Sequence, residues 1–169
     1  MKKFLVLILL ILNACSKPPG VPIENNISLT KDNILDFFAT NGFSGGITLD
    51  NNYSIIKKEF LDYDFPKLLM DLYIKEGLLY KKDRFDCDKF TLQSSALMSR
   101  LLYNNIENKG VTFGELYYIK KGDLKGHAIN FALVLNSSNK IVLEAFEPQL
   151  LKPVSLTAQE LQSIFFWRL

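Results

Sequence analysis

Apolar positions recur with a helical period through the first half of the chain and with a strand-like pattern through the second. Thr30 is a fitting N-cap for a short helix over residues 31–39, which ends near Asn41-Gly42. Ser44-Gly45-Gly46 marks a loop, Ile47-Thr48-Leu49 an extended piece and Asp50-Asn51-Asn52 a turn. Pro66 suits the first position of a second helix, with Leu68, Leu69, Leu72 and Leu79 on or near one face and Gly77 weakening its end. Lys81-Lys82-Asp83-Arg84 reads as a charged, solvated loop. From Cys87 to about Tyr103, Phe90, Ala96, Leu97, Leu101 and Leu102 again recur at helical spacing, with Asp86 as a candidate cap. Asn104-Asn105 and Asn108-Lys109-Gly110 bring that helix to a close.

The period then changes. Residues 111–119 and 129–135 are rich in β-branched and aromatic types and read as strands. Asn136-Ser137-Ser138-Asn139 is a hairpin turn that returns the chain as a strand over 140–146. Thr157-Ala158-Gln159-Glu160 has the form of a capping box, and the aromatic ending over 164–169 supplies a last strand. A helical first half followed by an antiparallel sheet is an α+β arrangement.

The N-terminus stands apart. Met1-Lys2-Lys3 precedes nine apolar residues from Phe4 to Leu12, then Asn13, Ala14 and Cys15. A short basic start, an apolar run too short to span a bilayer and a small residue before the cut mark an export signal. The Leu12-Asn13-Ala14-Cys15 string resembles the lipobox of bacterial lipoprotein signals. That resemblance implies a signal over 1–14, cleavage before Cys15 and lipid on that cysteine. Ser16 stands where many inner-membrane lipoproteins have aspartate, so an outer-membrane or surface location in the cell envelope is expected. Lys17-Pro18-Pro19-Gly20-Val21-Pro22 cannot hold a helix, and residues 15–28 read as a tether carrying one domain over 29–169. The chain is 48% hydrophobic and 12% aromatic, enough for a core. Twenty basic against 18 acidic residues leave a formal charge of +2, which calls for neither nucleic acid nor an anionic surface.

Residue counts narrow the chemistry. There are two cysteines, Cys15 and Cys87, and one histidine, His127. Lipid on the first cysteine leaves the second unpaired, and a Cys/His metal site is excluded. Cys87 falls at the start of a helix, where the positive end of the dipole favours a thiolate, and His127 falls at the start of a strand. A thiolate nucleophile, an imidazole base and a polar residue orienting the ring make a hydrolytic set.

Three motifs sharpen this. Phe85-Asp86-Cys87-Asp88-Lys89-Phe90, then Gly126-His127-Ala128-Ile129-Asn130, then Glu147-Pro148-Gln149 resemble a family of papain-like cysteine peptidases that includes the C-terminal domain of a fungal agglutinin. The resemblance runs over residues 80–169. It implies a papain-like α+β fold, with the nucleophile at a helix start packed on an antiparallel sheet. It also implies Cys87 as nucleophile, His127 as base and Glu147 as the residue orienting the ring. Glu144 and Gln149 are alternatives for that third role. Glu144 and Glu147 are an odd number apart in one strand, so only one of them can face His127. In the agglutinin relative the activity depends on calcium, so the resemblance also implies a calcium site, for which Asp86, Asp88, Glu147 and Gln149 would be the oxygen donors.

The expectation is therefore a lipid-anchored cysteine hydrolase, a peptidase or amidase acting on peptide or protein, that needs no cofactor unless calcium. The alternative is a catalytically silent binding or exclusion lipoprotein on the same fold, favoured by the acidic residues beside the thiol. An envelope scaffold joined through an intermolecular Cys87 disulfide is a third reading.

Overall fold

A computed structural model describes residues 22–81, 86–103, 109–122 and 125–169. The signal, Cys15 and the tether up to Val21 lie outside the described residues. So do Lys82, Asp83, Arg84, Phe85, Asn104, Asn105 and Asn108.

The chain enters as strand β1 (Ile23–Thr30), inside the segment read as a tether, and passes directly into helix α1 (Lys31–Thr40). Thr30 caps that helix as expected, its hydroxyl accepting from the Asn33 N–H at 3.2 Å. Short β2 (Gly46–Ile47) and β3 (Asn52–Ile56) follow. A π-helical turn (Phe60–Asp64) leads into α2 (Phe65–Glu76), which has Pro66 in its first turn. Gly77 closes α2 at φ 63, the left-handed conformation that glycine adopts most cheaply. Helix α3 (Cys87–Leu102) begins at the cysteine itself.

Strands β4 (Gly110–Val111) and β5 (Phe113–Ile119) divide the predicted strand over 111–119 at Thr112. The reason is local. Buried Thr112 donates its hydroxyl to the Leu133 carbonyl at 2.8 Å and accepts the Ile56 N–H at 3.0 Å. The chain there leaves one sheet for another. Strands β6 (Gly126–Leu135), β7 (Ile141–Glu147) and β8 (Lys152–Val154) are followed by α4 (Ala158–Gln162) and β9 (Phe166–Arg168). The Thr157–Glu160 capping box forms as expected.

Two sheets result. A six-stranded sheet has the order β2-β9-β5-β6-β7-β8 and is antiparallel apart from the β2–β9 pair. A three-stranded sheet, β1-β3-β4, pairs β1 with β3 antiparallel and β3 with β4 parallel. The α+β class is as expected. Strands β1 and β3 carry Asn, Ser and Thr among their apolar residues, so neither shows a clean period; each exists through its partner more than through local preference.

The large sheet is buried on both faces. Ile129, Phe131 and Leu133 of β6 point to one side, with Leu29, Phe38, Tyr53, Ile55 and Trp167. Ala132 and Val134 point to the other, with Phe65, Leu69, Phe90, Met98 and Leu102 of the helices. Burial on both faces explains why β6 reads as a continuous apolar run. Small side chains at Ala128 and Ala132, both buried, let α3 lie close on this strand. Among the described residues, no helix is long and apolar enough to cross a membrane.

Candidate functional site

Two polar breaks interrupt the apolar run of β6, and both organise the site. The first is His127, whose register partner across the ladder is Tyr118. The second is Asn130, fully buried. Its Nδ2 reaches the Thr91 carbonyl at 3.1 Å, the Ser95 hydroxyl at 3.0 Å and the Gly114 carbonyl at 3.1 Å. One amide thus ties the first turns of α3 to β5 and β6, and with them the position of Cys87 relative to His127.

Cys87, His127 and Glu147 are brought together at the start of α3 and the facing ends of β6 and β7. His127 Nε2 lies 2.7 Å from Glu147 Oε2, with the two side chains only 13% and 8% exposed. That leaves Nδ1 as the ring nitrogen for the thiol. The thiol of Cys87 is held below its ordinary pKa mainly by a hydrogen bond to the His127 side chain, which outweighs burial; the Ala128 N–H adds to the lowering. Burial alone would push His127 down. Hydrogen bonds to Cys87 and Glu147, and the charge of each, instead raise it to about 9. The arrangement therefore favours a thiolate beside an imidazolium, with Glu147 on the far side of the ring.

Each neighbour has a defined part. The second oxygen of Glu147 accepts the Gln149 backbone N–H at 3.2 Å, so both of its oxygens are engaged. Tyr118 packs edge-on against the imidazole with ring centroids 5.6 Å apart. Its hydroxyl is pushed up to about 12, first by burial and then by the charges of Glu160, Glu147 and Cys87. Glu144 takes no part. Its carboxylate holds Lys58 Nζ at 2.9 Å, as the odd spacing from Glu147 requires. Gln149 contributes its backbone to Glu147, and its side chain lines a neighbouring cavity.

The acidic flank differs from expectation. Asp86 occupies the N-cap position of α3 without making a side-chain cap bond. Its carboxyl hydrogen-bonds to Asp88 instead, which raises the pKa of Asp86 and lowers that of Asp88; Lys89 further favours the Asp88 carboxylate. Among the described residues, no three His, Cys, Asp or Glu side chains are grouped to hold a metal ion. Asp86 pairs with Asp88, while Glu147 pairs with His127.

The part played by Tyr118, the role of Asn130 and the cavity beside the site do not follow from the sequence. The signal for Asn130 was present, as an amide inside an otherwise apolar strand. Nothing local marks Tyr118.

No family model matches the chain, and no curated protein does. Solved structures do. One, titled "PSL1a-E64 complex", matches with TM-score 0.59 and 17% identity over 84% of this chain and 50% of its own. Another is a Polyporus squamosus lectin bound to a human-type influenza-binding epitope, with TM-score 0.61 and 15% identity over 84% of this chain and 49% of its own. The chain spans about half the length of each. At such identities the likeness is one of fold, and the resemblance to a fungal agglutinin is supported at that level. Of the two, the Polyporus squamosus protein is a lectin, and that finding stands against the expected cysteine hydrolase with a peptide substrate.

Proposed function

We propose that this chain is a catalytically silent binding protein of the cell envelope whose ligand is a carbohydrate. The observation that carries it is the likeness of fold to a lectin bound to a sugar epitope, at TM-score 0.61. The motifs around Cys87, His127 and Glu147 favour a papain-like form of the α+β fold, with α3 presenting its N-terminus to the sheet.

His127 and Glu147 mark the ligand site. An imidazole and a carboxylate fixed on each other in a mostly buried setting form a pre-organised polar wall for a ligand, as few rotatable bonds remain to be ordered. The thiol of Cys87 is not needed to grip the ligand, because Glu147 alone fixes the ring of His127. Attachment to a membrane through lipid on Cys15, in the outer membrane or at the surface, belongs to the same proposal; its support is the basic and apolar start and the Leu12-Asn13-Ala14-Cys15 string. The tether would then hold the domain close to the membrane that carries it.

A glycan array probed with the purified chain tests the ligand class, with Cys87→Ala beside the wild type. Retention of one glycan class by both proteins is expected. If no glycan is retained by either, the proposal fails. Loss of the anchor in Cys15→Ala, read by membrane fractionation, tests the address separately.

A further inference from the structure

Beside the polar cluster lies a cavity of about 600 Å³, lined by the C-terminal half of α2, Leu79 and Tyr80, Phe90 of α3, and Gln149 with Leu151. Its size falls within the range of small-molecule sites, roughly 300–1,000 Å³. None of the lining side chains carries a charge, and the polar groups among them are the Tyr73 and Tyr80 hydroxyls and the Gln149 amide. The Tyr73 hydroxyl is committed to the Pro148 carbonyl at 3.3 Å. Exposed apolar residues gather at the mouth: Ile74 is 72% and Leu79 71% exposed.

The cavity and the polar cluster share two walls. Phe90 stands one helical turn beyond Cys87, and the backbone of Gln149 donates to the Glu147 carboxylate. A ligand spanning both would meet charge at one end and an uncharged apolar space at the other. A wholly polar sugar would leave that space in contact with water, and a charged chain would lose its hydration there without a partner.

We propose that this cavity receives an uncharged alkyl portion of the ligand, so that, resting on the carbohydrate reading above, the ligand class is a glycoside with an apolar aglycone. Its sugar lies toward His127 and its chain runs toward Ile74. The fit is chemical as well as steric. Each CH₂ removed from water contributes about 0.8 kcal/mol, so affinity rises with chain length until the cavity is full.

The test uses two ligand series below their micellar thresholds: butyl, hexyl and octyl glucosides, and the corresponding plain alcohols. Calorimetric titration is done with the full chain carrying Cys15→Ser, so that no acyl group competes. In both series affinity should rise roughly threefold to fourfold per added CH₂. Ile74→Asp and Leu79→Asp, both at exposed positions that leave the core intact, should flatten that rise. A rise in the alcohols with no gain from the sugar head keeps the cavity assignment and removes the carbohydrate reading. Affinity independent of chain length overturns the proposal. So does a rise unchanged in both variants, or binding to phosphatidylcholine vesicles without binding of the monomeric compounds.

Discussion

The two regions that meet at the start of α3 are built on opposite plans. On one side, Cys87, His127 and Glu147 form a charged cluster in which every polar group has a partner. On the other, the cavity toward Ile74 and Leu79 is apolar and uncharged. The cluster stands on a helix terminus and two paired strands, whose spacing is set by backbone geometry. The cavity is enclosed by side chains from a helix end, a loop and the turn after β7. Strand geometry makes the first rigid, while the second depends on how separate segments pack. A protein that holds a ligand of two characters needs both.

Breaking the shared wall should have the largest effect. Phe90 is buried and stacks edge-on with Tyr73 at 5.1 Å, so Phe90→Ala should cost about 3–5 kcal/mol in urea denaturation. It should also open the cavity to water.

Removing the charge behind the imidazole comes next. Glu147→Gln should cost about 1.5–3 kcal/mol, since it weakens a charge-assisted, mostly buried hydrogen bond. It also has a pH signature. His127 is raised from 6.5 to about 9 in the fold, so its stabilising contribution is full below about 6.5 and is lost as pH rises through about 9. The lowered thiol pKa of Cys87 contributes in the opposite sense over that window, so the His127 contribution is read on a Cys87→Ala background: there Tm should fall as pH rises above about 6.5, and less steeply once Glu147→Gln is added. Equal slopes would show that the carboxylate does not hold the proton.

Glu144→Gln is the control from the same strand. Its ion pair with Lys58 is partly solvated, with side chains 24% and 38% exposed. The expected loss is about 0–1 kcal/mol, with no change in the slope above neutral pH. Smallest of all, Ile74→Asp should leave stability within about 0.5 kcal/mol, because Ile74 is 72% exposed. Ligand binding, not folding, is where that variant should register.

The same contrast explains what the sequence could tell. The cluster was legible because its chemistry rests on rare residues: a single histidine, a thiol at a helix start and a carboxylate whose strand parity excludes Glu144. Asn130 was visible as an amide in an apolar run, yet its role was not. The three acceptors around its Nδ2 come from α3 and β5, distant in sequence. The cavity was hidden for the same reason, since Met70, Leu79, Phe90 and Leu151 each read as ordinary apolar positions. Strands β1 and β3 escaped because their polar residues obscure the period and pairing supplies the order. Activity was the least legible. The motif order pointed to hydrolysis, and the neighbouring fold of a lectin stands against that reading.

The proposed function is carbohydrate binding without chemistry at the thiol. Its most direct measurement is a glycan-binding titration of wild type and Cys87→Ala, with the ligand recovered and weighed by mass spectrometry afterwards. Matching affinities and an unaltered glycan are predicted. Absence of binding by both proteins, or a ligand recovered cleaved or joined to Cys87, would contradict it.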